Sequence, residues 1–291
     1  MTGLGDVLKN VERRLAEAGI ESARADARIL MAHVLGVDRN RLIGLPDKPL
    51  TMSQTQQLDA FVARRAKHEP VAMITGTKEF WSLPFRVTRD TLVPRPDSET
   101  LIEAVLDHVK DRERDYRILD LGTGSGCLLL ALLSEFLNAS GLGLDANQGA
   151  LDTAQANAEA LGFGDRAAFV WSDWTAGIHG SFDIIVSNPP YITKPDWEQL
   201  EDDVRLYEPR TALVGGLDGL NPYRAFGPHL PGLLTPDGLF VCEIGMGQAA
   251  DVREILAEAG LTVLGVRRDL SGIERCLLAT RPRQLVTAKN A

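Results

Sequence analysis

The segment Asn188-Pro189-Pro190-Tyr191 has the residue types in this chain that most directly suggest chemistry. It follows Phe182–Val186, an apolar run that predicts a buried strand. Two consecutive prolines fix φ and remove two backbone donors, but their carbonyl acceptors remain. A stiff loop of acceptors suits a planar NH2 group, with one N–H donating to the Asn188 side-chain oxygen and one to the Pro189 carbonyl. Tyr191 would pack its ring against the flat group.

A glycine-rich turn, Gly122-Thr123-Gly124-Ser125-Gly126, follows another apolar run, Ile118–Leu121. Glycines allow a sharp turn and let a ligand approach the main chain closely. The spacing G-x-G-x-G departs from the G-x-G-x-x-G fingerprint that binds dinucleotide phosphates. The turn therefore predicts a ligand without phosphate, held by backbone contacts, although a turn of this kind can also be purely structural.

Two acidic residues follow the next two predicted strands. Asp145 ends the run Gly141–Leu144, where a carboxylate can accept both ribose hydroxyls of an adenosine group. Asp173 follows Ala167–Val170 and can accept from an adenine amino group, while Trp174 flanks the ring. Ligands of open α/β sheets bind outside the carboxyl ends of the strands, so these residues should lie beside the glycine turn. Together they predict a pocket for an adenosine-containing cofactor.

An adenosine-containing ligand beside a loop that holds a planar nitrogen indicates methyl transfer from S-adenosylmethionine. This transfer is an in-line displacement, so alignment is the main demand, and near-attack positioning can supply roughly 7–11 kcal/mol. Hydrogen bonds that strengthen as the nitrogen gains positive charge would help further. The sequence suggests no general base.

A metal site and a disulfide framework are not expected. His33 and His68 have no matching ligand partners, and Cys127, Cys242 and Cys276 are far apart without a CxxC pair.

The elements that must position these residues alternate along the second part of the chain. Apolar runs typical of strands recur there with helical patterns between most of them, at Ile118–Leu121, Leu142–Leu144, Ala167–Val170, Phe182–Val186 and Leu239–Ile244. This alternation predicts an α/β fold, a parallel sheet with helices on both faces. Two final runs, Leu261–Val266 and Arg275–Ala279, predict an antiparallel hairpin at one edge.

The front of the chain predicts helices instead. Apolar residues recur at helical spacing from Leu4 to Leu15, and Gly19 is a plausible stop. Ser22 can cap a second helix that ends near Gly36.

A third helix would begin after Thr51 or Ser53, a short hairpin would occupy residues 71–93, and Asp97 or Ser98 would cap the helix that follows. The predicted organisation is a helical domain over 1–70, a hairpin linker over 71–93 and a larger domain over 94–291.

Composition and net charge limit the classes of function that this protein can have. Hydrophobic residues make up 44% and charged residues 24% of the 291 residues, a globular balance. The net charge is −9, and residues 1–90 hold 14 Lys or Arg against 11 Asp or Glu, so the acidity lies in the remainder. Acidity argues against a duplex-binding protein. The chain begins without a signal pattern and has no apolar run near 20 residues, which predicts a cytoplasmic protein without a membrane span.

The chain resembles the protein glutamine methyltransferases that modify peptide chain release factors, over nearly its whole length. The motifs that carry the resemblance are Leu92–Glu99, Asp120–Gly126, Ser187–Ile192, Ala212–Leu213 with Gly215–Leu220, Glu243–Gly245 with Gln248, and Arg268–Leu270 with Gly272. The Asn188–Tyr191 loop by itself is shared with adenine-specific DNA methyltransferases. Two other motifs narrow the match to the release-factor enzymes, namely Leu92–Glu99 and the double-glycine segment Gly215–Leu220.

The resemblance implies a seven-stranded, Rossmann-like class I methyltransferase sheet preceded by a small helical domain that docks the substrate protein. The implied substrate is the glutamine of the Gly-Gly-Gln motif of class I release factors, and the product is its side-chain N-methyl amide. S-adenosylmethionine would be the donor and S-adenosylhomocysteine the by-product. A monomer without direct nucleic-acid binding is expected.

The same resemblance implies a role for individual residues. Gly122 to Gly126, Asp145, Trp174 and Asn188 would contact the cofactor, and Asn188 to Tyr191 would hold the glutamine. Glu243 and Gln248 are not assigned as ligands, since a core or capping role suits them better.

Two other functions remain open from the residues alone. An adenine-specific nucleic-acid amino-methyltransferase would use the same acceptor loop, although the acidic body and the lack of a basic recognition region disfavour it. A non-catalytic binding module would retain the cofactor pocket only, and the intact acceptor loop beside an intact glycine turn disfavours that.

Overall fold

The computed structural model describes residues 3–44 and 49–282. The chain divides into two compact units, of which the first comprises Met1–Thr77 with Glu201–Tyr207 and the second Lys78–Leu200 with Glu208–Ala291. The helices are α1 (Leu4–Glu17), α2 (Ala23–Leu35), α3 (Met52–Arg65), α4 (Val71–Thr75), α5 (Glu99–His108), α6 (Cys127–Glu135), α7 (Gln148–Ala160), α8 (Lys194–Trp197), α9 (Asp202–Arg205), α10 (Asn221–Phe226), α11 (Leu230–Leu233) and α12 (Ala249–Glu258).

The strands are β1 (Thr77–Phe80), β2 (Leu83–Arg86), β3 (Arg117–Leu121), β4 (Ser140–Asp145), β5 (Ala167–Trp171), β6 (Phe182–Ser187), β7 (Leu234–Glu243), β8 (Thr262–Arg268) and β9 (Glu274–Thr280). Each apolar run that the sequence identified lies in or overlaps one of these strands. The predicted α/β fold is therefore confirmed.

The first unit is helical, as predicted, and its caps show which local signals decide. Gly19 follows α1 with φ +80°, and Gly36 ends α2 in the left-handed region. Thr51 rather than Ser53 caps α3, because its hydroxyl accepts from the Gln54 backbone while the Gln54 side chain accepts from the Thr51 backbone.

The expected cap at Ser22 is wrong, although Ser22 does stand at the N-terminus of α2. Its hydroxyl donates to Asp26 at 2.8 Å, and Asp26 in turn accepts from Arg65 Nε at 2.7 Å. Asp26 and Arg65 are both buried, so the hydroxyl helps to solvate a buried ion pair that links α2 to α3. A buried charge competes successfully for a hydrogen bond that a helix end can obtain from water.

The hairpin is shorter than the range 71–93 suggested. Val71–Thr75 form a helical turn, and the two strands occupy only Thr77–Phe80 and Leu83–Arg86. Within the second unit, Phe80 and Phe85 are buried in a core, and β2 is tied to α7 by two hydrogen bonds between Arg86 and Asn157. The hairpin is therefore part of that core.

The second unit contains a seven-stranded sheet in the order β5-β4-β3-β6-β7-β9-β8. The first five strands are parallel, while β9 runs antiparallel between β7 and β8, so the predicted edge hairpin is confirmed. Neighbouring residues of one strand serve different cores: Ile118 faces the core that includes α5 and α6, and Leu119 faces the core that includes α10 and α12. Both faces are covered by helices, as a parallel sheet requires.

Among the residues that the structure describes, no helix is both long and apolar enough to cross a membrane.

Candidate functional site

The parallel register brings the predicted site residues to one edge of the sheet. Leu121 at the end of β3 pairs with Leu144 of β4 and with Ser187 of β6, and Asp145 pairs with Trp171 of β5. The Ser187 hydroxyl also donates to the Leu121 carbonyl at 2.8 Å, which ties two strand ends together. The loops that leave β3, β4, β5 and β6 therefore start side by side.

The glycine turn adopts the backbone that its sequence predicts. Gly122, Gly124 and Gly126 all have positive φ, at +73°, +54° and +79°. A Cβ added at Gly124 would meet nothing within 4 Å, so space for a ligand lies directly over this position. Gly126 differs, because its missing Cβ leaves room for Ala154 and Leu130 as α6 begins.

Asp145 fixes the turn and still lines the cavity that lies above it. One carboxylate oxygen accepts from the Gly124 N–H and the other from the Asn147 N–H, each at 2.9 Å. Burial raises the pKa of Asp145, and the hydrogen bonds from Asn147 and Gly124 act against that shift. The carboxylate thus shapes the turn from below.

Asp173 and Trp174 follow β5, at the same edge of the sheet as the glycine turn. Trp174 has φ +53°, an unusual conformation for a residue with a side chain, and its ring packs against Gly122 and lies 5.3 Å from the Phe226 ring. Asp173 is exposed. The indole therefore lies between Gly122 of the glycine turn and Phe226 of α10.

A cavity of about 640 Å³ joins these groups. Of the residues nominated from the sequence, those that line it are Gly122, Thr123, Gly124, Ser125, Asp145, Asp173, Trp174, Asn188 and Pro190. Gly126, Pro189 and Tyr191 lie outside the lining of this cavity. Its volume is in the range of pockets that hold a cofactor-sized molecule.

The acceptor loop is held from behind by the double-glycine segment. The Ile192 N–H donates to the Leu213 carbonyl, and the Gly215 N–H donates to the Ile192 carbonyl, each at 2.9 Å. A Cβ added at Gly215 would overlap the Pro190 carbonyl oxygen, and one added at Gly219 would overlap that of Tyr191. These positions need glycine because two stretches of backbone touch there.

The Asn188 side chain is held in a hydrogen-bond network by Ser98 and Glu243, for which the sequence had predicted other roles. Its NH2 group donates to the Ser98 hydroxyl at 2.9 Å, and Ser98 donates to the Glu243 carboxylate at 2.5 Å. Tyr191 donates its hydroxyl to the other Glu243 oxygen at 2.9 Å. The expectation that Ser98 or Asp97 caps α5 is wrong, since neither side chain makes a cap hydrogen bond.

Gln248 stands at the N-terminus of α12, but its side chain makes no cap hydrogen bond, so the suggested capping role is wrong. Its carbonyl oxygen accepts from the Gly245 N–H, while its NH2 group donates to the Tyr191 carbonyl at 3.0 Å. It thereby joins the end of β7 to the acceptor loop.

Sequence reasoning missed several residues that line the cavity. Trp171 is 58% exposed there, and an aromatic residue at the end of a strand was the only available signal. Arg95 lines the cavity and forms an ion pair with Glu208, which also accepts from the Val93 N–H. Thr211 carries no local signal, and Ala212 belongs to a motif of the family resemblance that was not assigned to the site.

Asp120 is a buried carboxyl directly below the glycine turn. Burial, together with the charge of Asp145, raises its pKa to about 7, and the Thr123 hydroxyl, which donates to one oxygen at 2.7 Å, opposes that rise. Its other oxygen has no hydrogen-bond partner within the part of the chain that the structure describes. The neutral form of Asp120 is therefore favoured in the folded protein below neutral pH.

Because the folded pKa lies above the unfolded one, Asp120 contributes stability at low pH that is lost as the pH rises through about 7. The change between pH 5 and pH 8 should be about 3 kcal/mol, at roughly 1.4 kcal/mol per pKa unit. Urea unfolding of the protein and of Asp120→Asn at both pH values measures it. The wild type should lose this stability relative to the variant, and an equal pH dependence in the two proteins would contradict the assignment.

Comparison with known proteins also finds a front segment and a methyltransferase segment in this chain. The family model described as the PrmC N-terminal domain matches residues 6–76, and the one described as the methyltransferase small domain matches residues 97–201. A solved structure of a methyltransferase from Pyrococcus furiosus is similar with a TM-score of 0.52 and 17% identity, covering 79% of this chain and 98% of that one. This likeness shows the fold alone. Together with the match to the methyltransferase small domain, the seven-stranded sheet confirms the predicted class I methyltransferase fold.

Curated relatives match almost the entire chain, as two examples show. The release factor glutamine methyltransferase of Rhodospirillum rubrum is 48% identical over 278 residues, covering 96% of this chain and 85% of that protein. The protein of the same name from Bradyrhizobium diazoefficiens is 43% identical over 276 residues, covering 94% and 93%. Since the match extends through both units, this chain belongs to the release factor glutamine methyltransferase family.

Proposed function

We propose that this protein methylates the side-chain amide nitrogen of the glutamine in the Gly-Gly-Gln motif of class I release factors, with S-adenosylmethionine as the methyl donor. The observation that carries the proposal is that Asn188 lines the same cavity as the glycine turn and Asp145. An acceptor for a planar NH2 group and a pocket for an adenosine-containing donor are therefore adjacent. The substrate class is taken from the relatives, which are release factor glutamine methyltransferases.

The residues of the cavity fit this donor. Ser125 is buried at the cavity wall, and its hydroxyl has no hydrogen-bond partner among the described residues. Asp145 and Asp173 provide carboxylates for hydroxyl and amino donors, and the indoles of Trp171 and Trp174 provide flat apolar walls. When bound, the donor supplies an electrophilic methyl group on a sulfonium.

The task of the protein's own residues is to align the amide nitrogen with the methyl group. In the proposed complex the Asn188 oxygen and the Pro189 carbonyl accept the two N–H groups, which turns the face of the nitrogen toward the donor. Amide nitrogen is a weak nucleophile because its lone pair is delocalised. Acceptors that gain strength as positive charge develops on the nitrogen lower the barrier. In forming the N-methyl amide, the nitrogen loses one of its two protons to water.

The fixed backbone behind the acceptor loop supports this role. Pro189 and Pro190 stiffen the loop from within, and the contact of Gly215 with the Pro190 carbonyl stiffens it from behind. An error of about 1 Å in such a position can cost about 100-fold in rate.

We also infer that the protein is a cytoplasmic monomer. We infer that it binds no nucleic acid directly, since its second unit is acidic.

The direct test is transfer of label from S-adenosylmethionine to a purified class I release factor. Label should appear on the wild-type factor and disappear when the glutamine of its Gly-Gly-Gln motif is replaced. Duplex and single-stranded DNA in parallel reactions test the adenine alternative and should stay unlabelled. An unlabelled wild-type factor, or label that survives the glutamine replacement, would exclude the proposed function.

Asp145→Ala and Asn188→Ala should separate donor binding from turnover. Loss of a charged acceptor costs about 1.5–3 kcal/mol, so Asp145→Ala should weaken S-adenosylmethionine binding by roughly 10–100-fold and affect kcat less. Asn188→Ala should lower kcat by about 100-fold or more without unfolding the protein. Calorimetry of donor binding and initial rates measure both, with the exposed Asp165→Ala as control. A nearly normal rate in Asn188→Ala would remove Asn188 from the mechanism.

Gly215→Ala tests the backing of the acceptor loop. The new Cβ has to displace the Pro190 carbonyl, so kcat should fall by about 100-fold while donor binding changes little. Gly232→Ala is the matched control, because a Cβ there meets nothing within 4 Å. If both variants turn over alike, the glycine contact does not position the loop.

A further inference from the structure

We infer that Glu243 fixes the orientation of the Asn188 amide through Ser98, so that the Asn188 oxygen and not its NH2 group faces the substrate. This inference rests on the proposed function, because it concerns how the acceptor loop holds the substrate amide. Glu243 does not line the cavity and is a positioning residue in this scheme, whereas Ser98 lines the cavity and connects Glu243 to Asn188.

The three side chains come from distant parts of the sequence. Ser98 precedes α5, Asn188 follows β6, and Glu243 ends β7. Ser98 and Glu243 are each 2% exposed, so water cannot readily replace a partner in this chain of hydrogen bonds. A buried polar network of this kind has to be satisfied within the protein.

The direction of the hydrogen bonds follows from the chemistry of the groups. An ionised carboxylate only accepts, so the hydroxyl of Ser98 must donate its single proton to Glu243. The Ser98 oxygen then has only lone pairs left for Asn188. The Asn188 atom that lies 2.9 Å from it must therefore be the NH2 group, and the carbonyl oxygen points the other way.

Tyr191 reinforces the same polarity from the other side of Glu243. Its hydroxyl donates to the second carboxylate oxygen, so both oxygens accept and neither can supply a proton. Burial raises the pKa of Glu243, and the donors Ser98 and Tyr191, followed by the charge of Arg275, oppose that rise and favour the ionised form. The charge of Asp97, like burial, raises the pKa of Glu243.

The orientation matters because an asparagine amide is nearly symmetrical in shape. If it turned over, Asn188 would present two N–H groups to a substrate amide that also offers N–H groups. The hydrogen bond to the substrate nitrogen would then be replaced by repulsion. A single buried carboxylate outside the cavity thus determines which atom the substrate meets.

Reversing the polarity of the network provides the test. Asn188→Asp places a carboxylate against the Ser98 oxygen, whose proton is already bound to Glu243, so kcat should fall by about 100-fold. In that background, the amide introduced by Glu243→Gln can donate N–H to Ser98, which frees the Ser98 proton for the new carboxylate at position 188. Tyr191 can still donate to the amide oxygen at position 243. The double variant should recover about tenfold in kcat over Asn188→Asp.

The sign of the Glu243→Gln effect is the decisive measurement. The substitution should lower kcat when residue 188 is Asn and raise kcat when residue 188 is Asp. A residue that only stabilises the fold would lower activity in both backgrounds, and that result would overturn the inference. Donor binding by calorimetry should change less than kcat throughout.

A readout independent of turnover comes from the Asn188 side-chain NH2 resonances in NMR. Ser98→Ala should accelerate their hydrogen exchange by about tenfold, whereas the control Ser134→Ala should not, because the Ser134 hydroxyl donates to the Ala131 carbonyl within α6. Unchanged exchange in Ser98→Ala would overturn the inference even if Asn188→Asp did not fold. A wild-type protein that does not methylate release factors would instead defeat the proposed function and leave this measurement valid.

Discussion

The parallel pairing of β4, β3 and β6 is the constraint on which the rest of the second unit depends. Parallel strands end at the same edge, so the loops after Leu121, Asp145 and Ser187 have to begin next to each other. The Ser187 hydroxyl bonded to the Leu121 carbonyl fixes the relative height of two of these ends. Cofactor pocket and acceptor loop become neighbours for this reason, and neither would form a site alone.

The two loops then acquire stiffness in different ways. The glycine turn is held by a charge, since the Asp145 carboxylate accepts from the Gly124 N–H beneath the cavity. The acceptor loop is held by backbone contact, since Gly215 and Gly219 allow another segment to lie against its carbonyls. Pre-organisation of this kind suits a reaction whose main demand is alignment.

The acidic groups of the second unit have distinct physical roles, although the sequence presents them alike. Asp145 lines the cavity, Asp120 lies buried below it with a raised pKa, and Glu243 accepts two hydroxyl donors behind the acceptor loop. The family membership of the chain agrees with a protein substrate.

The sequence by itself determined the alternating fold, the helical front, the glycine turn and the acceptor loop, because each depends on local periodicity or on residues that are adjacent in the chain. The strands from Arg117–Leu121 to Glu274–Thr280 could be identified in this way. The cap at Thr51 was predicted correctly, because its partner Gln54 lies in the same turn. The caps at Ser22 and Ser98 were wrong because a carboxylate took each hydroxyl: that of Asp26, four residues along, at Ser22, and that of the distant Glu243 at Ser98.

Only the tertiary structure decided which distant side chains meet. The bonds that join Ser98, Asn188 and Glu243 span 90 and 145 residues, and no spacing rule predicts a contact over such separations. No spacing rule predicts that Glu201–Tyr207 belong to the first compact unit. Nor does one predict that Gly126 and Tyr191 lie outside the cavity lining. Local sequence specifies elements and loops, whereas the sheet register and the packing of the cores specify which atoms face each other.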